Sequence, residues 1–507
     1  MAEAIIGIDL GTTMSAIAKL NDLGTPEIIP NSDGERIMPS VINFSQSSLL
    51  IGQEAKNSAA DEPLRVVKEF KREMHNSDYN FGVDGRKYSA HELSSMILKK
   101  LVQDASEKIG GISKVVITVP AYFKENQRNA TMEAGKLAGL DVIAIINEPT
   151  AAALFYAKES NTNGYGIVYD LGGGTFDITL TKTNGNNIEV LGSEGDSRLG
   201  GVDFDQVVLK LMEDKYKEQT GATLCSDAES TEEFSLMAEE IKKSLSKKDS
   251  IKKKLRGASA SATIEISRKE FEDKASTLIS KTEMLLEQLL DESGKTANDI
   301  NYVLLVGGST RIPAIKESIK SILGKEPLNA VNVDEVVALG AAIKAGMVMT
   351  KTVPSVVSQS VKSGLSELVV QDVANHSYGT IFVVENDEYM NEIIIEKNTI
   401  IPCVETTSGS LMYDGQESVD IQITQGEGED PDYVDVIETL PLKIPAGAKR
   451  GEELVYTYRY DENQIMHCKI VHLRSGSTVE STVHINSESN NNHKQVKNNP
   501  LDTFLIE

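Results

Sequence analysis

The sequence predicts an α/β fold that contains one strand–turn–strand unit twice, followed by an all-β region. The first observation is the stretch 166–180, in which two apolar runs flank the glycine-rich turn Asp170-Leu-Gly-Gly-Gly-Thr-Phe-Asp177. The second is the stretch 5–17, which repeats the apolar run and turns at Asp9-Leu-Gly11. The third is a change of pattern after residue 350, where short alternating strands replace the succession of strands and helices. The repeat predicts two halves that face one another, each with its own turn.

The composition is that of an ordinary globular protein with a large excess of acid. The 507 residues include 76 acidic and 51 basic side chains, a formal net charge of −25. A nucleic-acid partner is disfavoured, because a polyanion needs clustered Lys and Arg. Cys225, Cys403 and Cys468 lie far apart, with neither metal-site spacing nor a disulfide framework, which fits a reducing compartment. No signal-like start and no apolar run of ~20 residues are seen, so we expect a cytoplasmic protein without a membrane partner.

The glycine-rich turns predict a phosphate site with a metal ion nearby. Glycine has no Cβ, so backbone N–H groups at Gly11 and at residues 172–174 can close on phosphate oxygens. Asp170 and Asp177 flank the second turn and can hold a hydrated Mg²⁺. Alone, this turn could equally be a glycine-rich hairpin loop. Its repetition around Asp9 favours a nucleotide whose phosphates lie between the two turns.

The elements between the two turns alternate, which is typical of an α/β domain. Residues 64–74 predict a helical patch that carries Lys71, and a solvated lysine is the ordinary interpretation of that residue. The other segments are predicted from apolar spacing and β-branched content: strand 41–44, helix 91–102, strand 115–120, helix 127–137 and strand 141–146. Glu148 then opens a helix of small residues. It could orient a water molecule, or it could be a helix N-terminal acid favoured by the helix dipole.

The second half repeats this plan beyond its glycine turn. A glycine pair at 200–201 enters a charged helical region that includes residues 238–246. An apolar strand at 301–306 ends at Gly307-Gly308, where a flat adenosine has space to lie on the backbone. Residues 334–343 mirror the small-residue helix that follows Glu148. Each half therefore supplies a phosphate turn, a connecting helix and a closing helix.

Five motifs in this order resemble the DnaK-like family of 70-kilodalton heat-shock chaperones, within the actin/sugar-kinase/chaperone ATPase superfamily. The motifs begin at residues 9, 119, 147, 170 and 307: Asp-Leu-Gly-Thr-Thr, Val-Pro-Ala-Tyr-Phe, Asn-Glu-Pro-Thr-Ala-Ala, Asp-Leu-Gly-Gly-Gly-Thr-Phe-Asp and Gly-Gly-Ser-Thr-Arg-Ile-Pro. They cover the chain to about Met349. The resemblance implies a duplicated actin-like (ribonuclease-H-like) ATPase domain followed by an all-β sandwich that binds peptides.

The resemblance assigns roles to the site residues. Catalytic roles fall to Lys71, Glu148, Thr175 and Asp177. Asp9 and Asp170 would hold Mg²⁺ through water. Nucleotide contacts are implied for Gly11, Thr12, Thr13, Gly172, Gly173, Gly174, Gly200, Gly201, Glu239, Lys242, Lys243, Ser246, Gly307, Gly308, Ser309, Arg311 and Asp334. Two departures from the family are Met14, where an aromatic residue is usual, and a short segment between Phe44 and Tyr88.

The same resemblance organises the remainder of the chain. The whole chain then divides into an ATPase domain at 1–350, a linker at 351–373 and a β sandwich at 374–486, and the polar composition of residues 487–507 predicts a disordered tail. Leu368, Val369 and Val370 would be the apolar part of the linker, and a short edge strand is a compatible interpretation. Val384, Val419 and Ile421 would line the peptide cleft. No helical lid is recognised after the sandwich, so we expect a short member of the family with rapid peptide exchange.

The expected function is that of a Mg²⁺-dependent ATPase that couples ATP hydrolysis to the binding of extended apolar segments of unfolded proteins. The cofactors would be ATP, ADP and Mg²⁺. The partners would be polypeptide clients, a J-domain co-chaperone and a nucleotide exchange factor. The alternative is an actin-like or sugar-kinase-like nucleotide-binding protein with a β accessory domain. The apolar linker and the β region favour the chaperone, because a kinase or a filament needs neither.

Overall fold

The computed structural model of the chain describes residues 4–46, 48–159, 163–328, 332–365, 367–384, 388–462 and 464–482. The tail expected at 487–507 lies outside these residues, as do the last residues of the expected sandwich. Within the described ranges, no helix is long and apolar enough to cross a membrane.

The first half of the chain is built around a mixed sheet. Its elements are β1 (Ile6–Asp9), β2 (Met14–Leu20), β3 (Pro26–Ile28), β4 (Met38–Pro39), β5 (Val41–Phe44), β6 (Leu49–Ile51), α1 (Gln53–Asn57), β7 (Val66–Lys68), β8 (Phe81–Val83), β9 (Arg86–Tyr88), α2 (Ala90–Ile109), β10 (Lys114–Val119), α3 (Glu125–Leu137), β11 (Asp141–Asn147) and α4 (Glu148–Glu159). The sheet order is β11-β10-β1-β2-β3, with β1 parallel to β10 and antiparallel to β2. Both faces of β1 and β10 are buried, so their runs are almost wholly apolar.

The second half repeats this sheet. Its elements are β12 (Gly164–Leu171), β13 (Phe176–Asn184), β14 (Asn187–Asp196), α5 (Gly201–Thr220), α6 (Ala228–Leu245), β15 (Ser250–Arg256), β16 (Ser261–Ser267), α7 (Arg268–Glu292), β17 (Ile300–Val306), α8 (Pro313–Leu323) and α9 (Val336–Thr352). The β12–β13 hairpin corresponds to β1–β2, and β17 lies parallel to β12 as β10 lies parallel to β1. The predicted duplication of an α/β unit is confirmed.

The two halves meet where α4 and α9 cross. Both helices are rich in small residues, and Ala151, Ala152, Ala341 and Ala342 are fully buried there. A Cβ at Gly340 would lie 1.8 Å from the carbonyl oxygen of Ala151. Only glycine allows the backbones to approach this closely. The short side chains predicted along one helix face therefore set the spacing between the halves.

The remaining described residues form a β sandwich preceded by a helix and a strand. The elements are α10 (Gln359–Leu365), β18 (Val369–Val373), β19 (Tyr378–Val383), β20 (Tyr389–Ile395), β21 (Ile400–Ile401), β22 (Cys403–Ser410), β23 (Ser418–Gln425), β24 (Asp435–Lys443), β25 (Glu453–Tyr460), β26 (Met466–His472) and β27 (Thr478–Thr482). One sheet has the order β20-β19-β23-β24 and the other β22-β25-β26-β27. Apolar side chains from both sheets share one core, as predicted for a sandwich.

Strand β18 joins the sandwich to the α/β domain. It lies parallel to β14, with Val369 opposite Asn187 and Val370 opposite Ile188. At its other end it pairs antiparallel with β21. The second-half sheet thus continues, in the order β17-β12-β13-β14-β18-β21, from one domain into the other.

The helix expected at 64–74 is wrong. Residues Val66–Lys68 form β7, which pairs with β5, and Phe70–Glu73 form a 3-10 helix. Glu69, between them, has a left-handed backbone with φ of 62°. The spacing of apolar residues suggested one helical face, but hydrogen bonds to β5 hold the first part extended.

Candidate functional site

A cavity of about 630 Å³ lies between the two halves and collects most of the residues predicted to bind a nucleotide. The predicted residues that line it are Asp9, Gly11, Thr12, Thr13, Lys71, Glu148, Asp170, Gly172, Gly173, Thr175, Gly201, Glu239, Lys242, Lys243, Ser246, Gly307, Gly308, Ser309, Arg311 and Asp334. Gly174, Gly200 and Asp177 are not among the lining residues. They lie in the layer behind the wall, where Gly200 packs against the backbone of Gly173 and Gly174.

The two glycine-containing turns face one another at one end of this cavity. A Cβ at Gly173 would lie 2.0 Å from Oγ1 of Thr13, and one at Gly174 would lie 2.4 Å from Cγ2 of Thr12. The start of α5 joins the same group, because the amide of Gly201 donates a 2.9 Å hydrogen bond to the carbonyl oxygen of Gly172. Backbone amides, two threonines and a helix start therefore converge at this end, an arrangement suited to phosphate oxygens.

Lys71 and Glu148 form a buried ion pair beside the turns. Lys71 comes from the 3-10 helix Phe70–Glu73, and Glu148 from the start of α4. The Nζ atom of Lys71 donates a 2.7 Å hydrogen bond to Oε1 of Glu148 and lies 5.4 Å from the ring centroid of Phe123. The Lys71 side chain is only 3% exposed. A charged pair this well enclosed is held in one geometry.

Three more carboxylates surround this pair and raise one another's proton affinity. Burial, and then the Glu148 carboxylate, raise the pKa of Asp9 and that of Asp177 to about 7. The same two causes raise the pKa of Asp170 well above its ordinary value. Asp9 accepts a 3.0 Å hydrogen bond from Thr118, and Asp177 accepts one of 2.9 Å from the amide of Tyr122. Four carboxylates facing one lysine make this end of the cavity favourable for a cation.

These residues fit a hydrated Mg²⁺ ion. Within the described residues, Oδ2 of Asp177 is buried without a hydrogen-bond partner. Carboxylate oxygens are the ligands that Mg²⁺ prefers, and this ion usually keeps several waters and bridges to substrate phosphates. No group of three His, Cys, Asp or Glu side chains in the described ranges could ligate an ion by itself. Asp9 and Asp170 would accordingly hold the ion through water, with Asp177 next to them.

Paired charges from α6 and from the segment before α8 also line the cavity. Lys242 lies 2.8 Å from Asp205 and also donates to the carbonyl oxygen of Gly201. Arg311 lies 2.8 Å from Asp334. Gly307 and Gly308 also line the cavity.

Two ion pairs that the sequence patterns did not indicate join the first half to α6, one of whose residues, Glu239, lines the cavity. Lys56 lies 2.5 Å from Glu239, and Lys68 lies 2.6 Å from Glu232. Burial acts to raise the pKa of Glu239, but Lys56 and Lys243 lower it to about 2. Each of the two pairs joins the outer part of the first half to α6. Their partners are more than 160 positions apart in sequence, so no local pattern could have revealed them.

The predicted linker residues differ in their surroundings. Leu368 is 7% exposed and packs with apolar residues of α9 and α10. Val370 is half-buried against the same cluster, whereas Val369 is 53% exposed. Asp372, two residues on, accepts hydrogen bonds from Thr150 at 3.2 Å and from Gln464 at 2.8 Å. The linker strand therefore contacts both domains.

The predicted cleft residues are not equally accessible. Val419 and Ile421 lie on the same face of β23, where Val419 is half-buried and Ile421 is 2% exposed in the sandwich core. Val384 follows β19 and is 36% exposed. The hydrogen-bonded pairing of β19 with β23 ends at Thr380, before Val384 is reached. The three residues therefore differ in how far they are open to solvent.

Comparison with known protein families gives one match that spans nearly the whole chain. The family model described as Hsp70 protein matches residues 5–79 and residues 74–502. The matched ranges include both glycine turns, the Lys71–Glu148 pair, the linker strand and the sandwich.

Proposed function

The chain belongs to the Hsp70 family, and from that membership we propose that it is a chaperone whose sandwich binds extended apolar segments of unfolded proteins under the control of ATP hydrolysis in the α/β domain. Membership supports a chaperone role and ATP hydrolysis in general. The proposal concerns the chemistry of hydrolysis, its coupling to the sandwich, and the partners.

Hydrolysis is proposed to proceed by direct attack of water on the terminal phosphate. The phosphate end of the cavity contains a lysine, carboxylates and threonines but no strong nucleophile, so a phosphoenzyme is not expected. Lys71 would offset charge on the phosphate oxygens, and Glu148, which it fixes at 2.7 Å, would orient the water. Thr175 would lie against the terminal phosphate. Positioned groups in a site closed to bulk water supply the electrostatic stabilisation that such a transfer needs.

Mg²⁺ is proposed as the metal ion. When bound, it would supply positive charge that neutralises the phosphate oxygens. The residues of this chain that would hold it are Asp9 and Asp170, with Asp177 nearby. Burial and mutual repulsion raise the pKa of all three carboxyl groups, and carboxylates crowded in this way are suited to receive a cation.

The single observation that carries the coupling proposal is the position of β18. This strand is hydrogen-bonded to β14 of the α/β domain and to β21 of the sandwich region. A change in the relative position of the two α/β halves would alter the edge on which β18 lies. Movement of that edge could then be transmitted to the sandwich without a separate signalling element.

The proposed clients are extended polypeptides, which a sandwich can hold through backbone hydrogen bonds and a few apolar side chains. Val384, Val419 and Ile421 are the proposed contact residues. A J-domain co-chaperone and a nucleotide exchange factor are the proposed partners, and the cytoplasm is the proposed compartment.

The proposal is tested by measuring phosphate release from ATP by the full chain, with and without an unfolded apolar peptide. We expect slow turnover that stops when EDTA removes divalent ions and that the peptide accelerates. A glycine- and serine-rich peptide of equal length is the control and should have no effect. Turnover that responds equally to both peptides would contradict the coupling, and absence of turnover would contradict the ATPase proposal.

A further inference from the structure

A series of side-chain hydrogen bonds connects an arginine outside the cavity with an arginine in the cavity wall. Arg36 lies in the turn between β3 and β4 of the first half and does not itself line the cavity. Its Nε donates a 2.8 Å hydrogen bond to Oε1 of Glu335, and its Nη2 donates one of 2.7 Å to Oε2. One guanidinium thus engages both carboxylate oxygens, which fixes the orientation of the carboxylate.

The series continues from Glu335 to Asn332. Glu335 immediately precedes α9 and is 7% exposed. Its Oε1 also accepts a 2.7 Å hydrogen bond from Nδ2 of Asn332. The hydrogen bonds from Arg36 lower the pKa of Glu335 most and Asn332 lowers it further, whereas burial acts in the opposite direction. The carboxylate therefore stays charged at neutral pH while both partners hold it.

Asn332 connects this carboxylate to the cavity wall. Its Oδ1 accepts a 3.1 Å hydrogen bond from Nη2 of Arg311 and one of 3.4 Å from the amide of Asp334. Because the side-chain amide donates on one side and accepts on the other, rotating it would break both connections. Arg311 also donates from Nη1 to Oδ1 of Asp334 at 3.1 Å, and both of these residues line the cavity. Arg311 is consequently held by Asp334 and by an asparagine that is itself fixed from the first half.

The position of Arg36 suits it to act on the cavity without entering it. Its side chain is 55% exposed, so the ion pair with Glu335 by itself contributes little to folding stability. Ile37, the next residue, lines the cavity. The segment that carries Arg36 therefore forms part of the wall in the first half, while Arg311 forms part of it in the second.

We infer that Arg36 is a positioning residue for nucleotide binding, which acts through Glu335 and Asn332 to hold Arg311 in its place in the cavity wall. The inference rests on the proposed nucleotide function and adds to it a residue from outside the cavity. Without Arg36, the side chain of Glu335 would lose two of the three hydrogen bonds that it accepts within the described residues. Asn332 could then rotate, and Arg311 would keep only Asp334. A nucleotide would have to order Arg311 as it binds, which lowers affinity.

The test is a double-mutant cycle on ADP affinity, measured by calorimetry with the full chain. The variants are Arg36→Ala, Arg311→Ala and their combination. We expect Arg36→Ala to weaken ADP binding by about two- to tenfold, the range for ordering one long side chain. In the Arg311→Ala background the same substitution should have little further effect, because its route to the nucleotide is already gone. Fully additive effects would overturn the inference.

Two further variants distinguish positioning from charge and from simple attachment of α9. Arg36→Lys keeps the positive charge but not the planar fork that binds both oxygens of Glu335, so it should lose nearly as much ADP affinity as Arg36→Ala. Asn332→Ala keeps the ion pair and removes its connection to Arg311, so it too should weaken ADP binding. Wild-type affinity in either variant would contradict the inference. Glu35→Gln, in the same exposed turn, is the control and should bind ADP as the wild type does.

The cycle measures binding alone, so its outcome separates the inference from the proposed function. An active ATPase with additive substitutions would overturn the inference and leave the ATPase proposal standing. A protein that binds ADP with a coupled cycle but does not hydrolyse ATP would support the inference and contradict the ATPase proposal. A wild-type chain that binds no ADP would overturn both.

Discussion

The ammonium group of Lys71 is held 2.7 Å from the carboxylate of Glu148 in the wall of the cavity between the two halves, although the residues are 77 positions apart in sequence. They come from different elements of the first half, a 3-10 helix and the start of α4. The pair thus presents one cation and one carboxylate to the phosphate end at a fixed separation.

We predict that Lys71→Ala lowers ATP turnover by about 100-fold or more while ATP still binds, because the loss removes charge stabilisation needed mainly in the transition state. Single-turnover phosphate release and calorimetric ATP binding check the two parts. Lys87→Ala, an exposed lysine of the same half, is the control. Undiminished turnover in Lys71→Ala would assign the role to another residue.

The Lys68–Glu232 ion pair between the two halves should slow nucleotide release. Both side chains are partly buried and join the two halves without lining the cavity. Such pairs contribute about 0.2–1 kcal/mol, so Lys68→Ala should accelerate ADP release by a factor of up to about five. Stopped-flow release of a fluorescent ADP analogue measures the rate. In a double-mutant cycle, Glu232→Ala should add little to Lys68→Ala, and the effect should shrink at high salt. If the effects of the two substitutions on ADP release were fully additive, the ion pair would not be what slows release.

Sequence patterns were sufficient where the determinants are local. The hairpins β1–β2 and β12–β13 follow directly from the repeated Asp-Leu-Gly turns, and the close crossing at Gly340 follows from a run of small residues. These features require two backbone segments to lie close together, and runs of glycine and alanine indicate such contacts clearly. The glycines that line the cavity were predicted for the same reason, whereas Lys71, Glu239 and Arg311 were assigned to it only by the family resemblance.

Patterns failed where a distant partner determines the outcome. β7 is a strand because it pairs with β5, although its apolar spacing resembles a helix. Two edge strands of the sandwich, β22 and β24, are poorly marked in the sequence, because the first is largely polar and the second contains Pro441. The linker strand was anticipated, but which of its side chains would be buried depends on packing against α9 and α10, which the sequence of the strand does not indicate.

The linker offers a prediction with an internal control. Leu368 is buried, whereas Val369 is exposed. Leu368→Asp should therefore prevent docking of β18 on β14, because it buries an unpaired carboxylate, and should abolish stimulation of ATP turnover by peptide. Val369→Asp should leave most of the stimulation. Hydrogen exchange of the β18 amides measures docking, which we expect with ATP and not with ADP. Equal behaviour of the two variants would contradict this assignment.

The domain interface contains two buried groups with opposite pH dependence. His376 packs edge-on against Tyr122 at 5.0 Å between ring centroids. Burial, and then Arg128, Lys124 and Lys397, lower the pKa of His376 to about 4 from an ordinary 6.5. Glu125 accepts a 3.3 Å hydrogen bond from Tyr378.

Burial raises the pKa of Glu125 to about 7 from an ordinary 4.5, against the opposing charge of Arg128. When the domains separate, both groups would return toward their ordinary pKa values. Undocking would then release a proton from Glu125 and would let His376 bind one.

The pH dependence of docking between the sandwich and the α/β domain follows from which state, docked or separated, binds more protons. Between pH 4 and 6.5 undocking adds a proton to His376, so this group makes docking stronger as pH rises. Between pH 4.5 and 7 the docked state keeps a proton on Glu125, so this group makes docking weaker as pH rises. Buried Asp372, whose pKa burial also raises, acts in the same direction as Glu125. In the wild-type protein these contributions oppose one another, and docking should vary little across the window that they share.

Single substitutions should separate the two opposing pH dependences of domain docking. Glu125→Gln should dock more strongly than the wild type at about pH 7.5 and should undock on acidification toward about pH 5, whereas His376→Gln should undock as pH rises over the same range. Small-angle scattering of the full chain measures the separation of the domains at each pH. Lys87→Gln, far from the interface, is the control for general charge effects. If both variants responded to pH in the same direction, the two groups would not be the determinants of docking, because a buried neutral imidazole and a buried protonated carboxyl must titrate with opposite consequences.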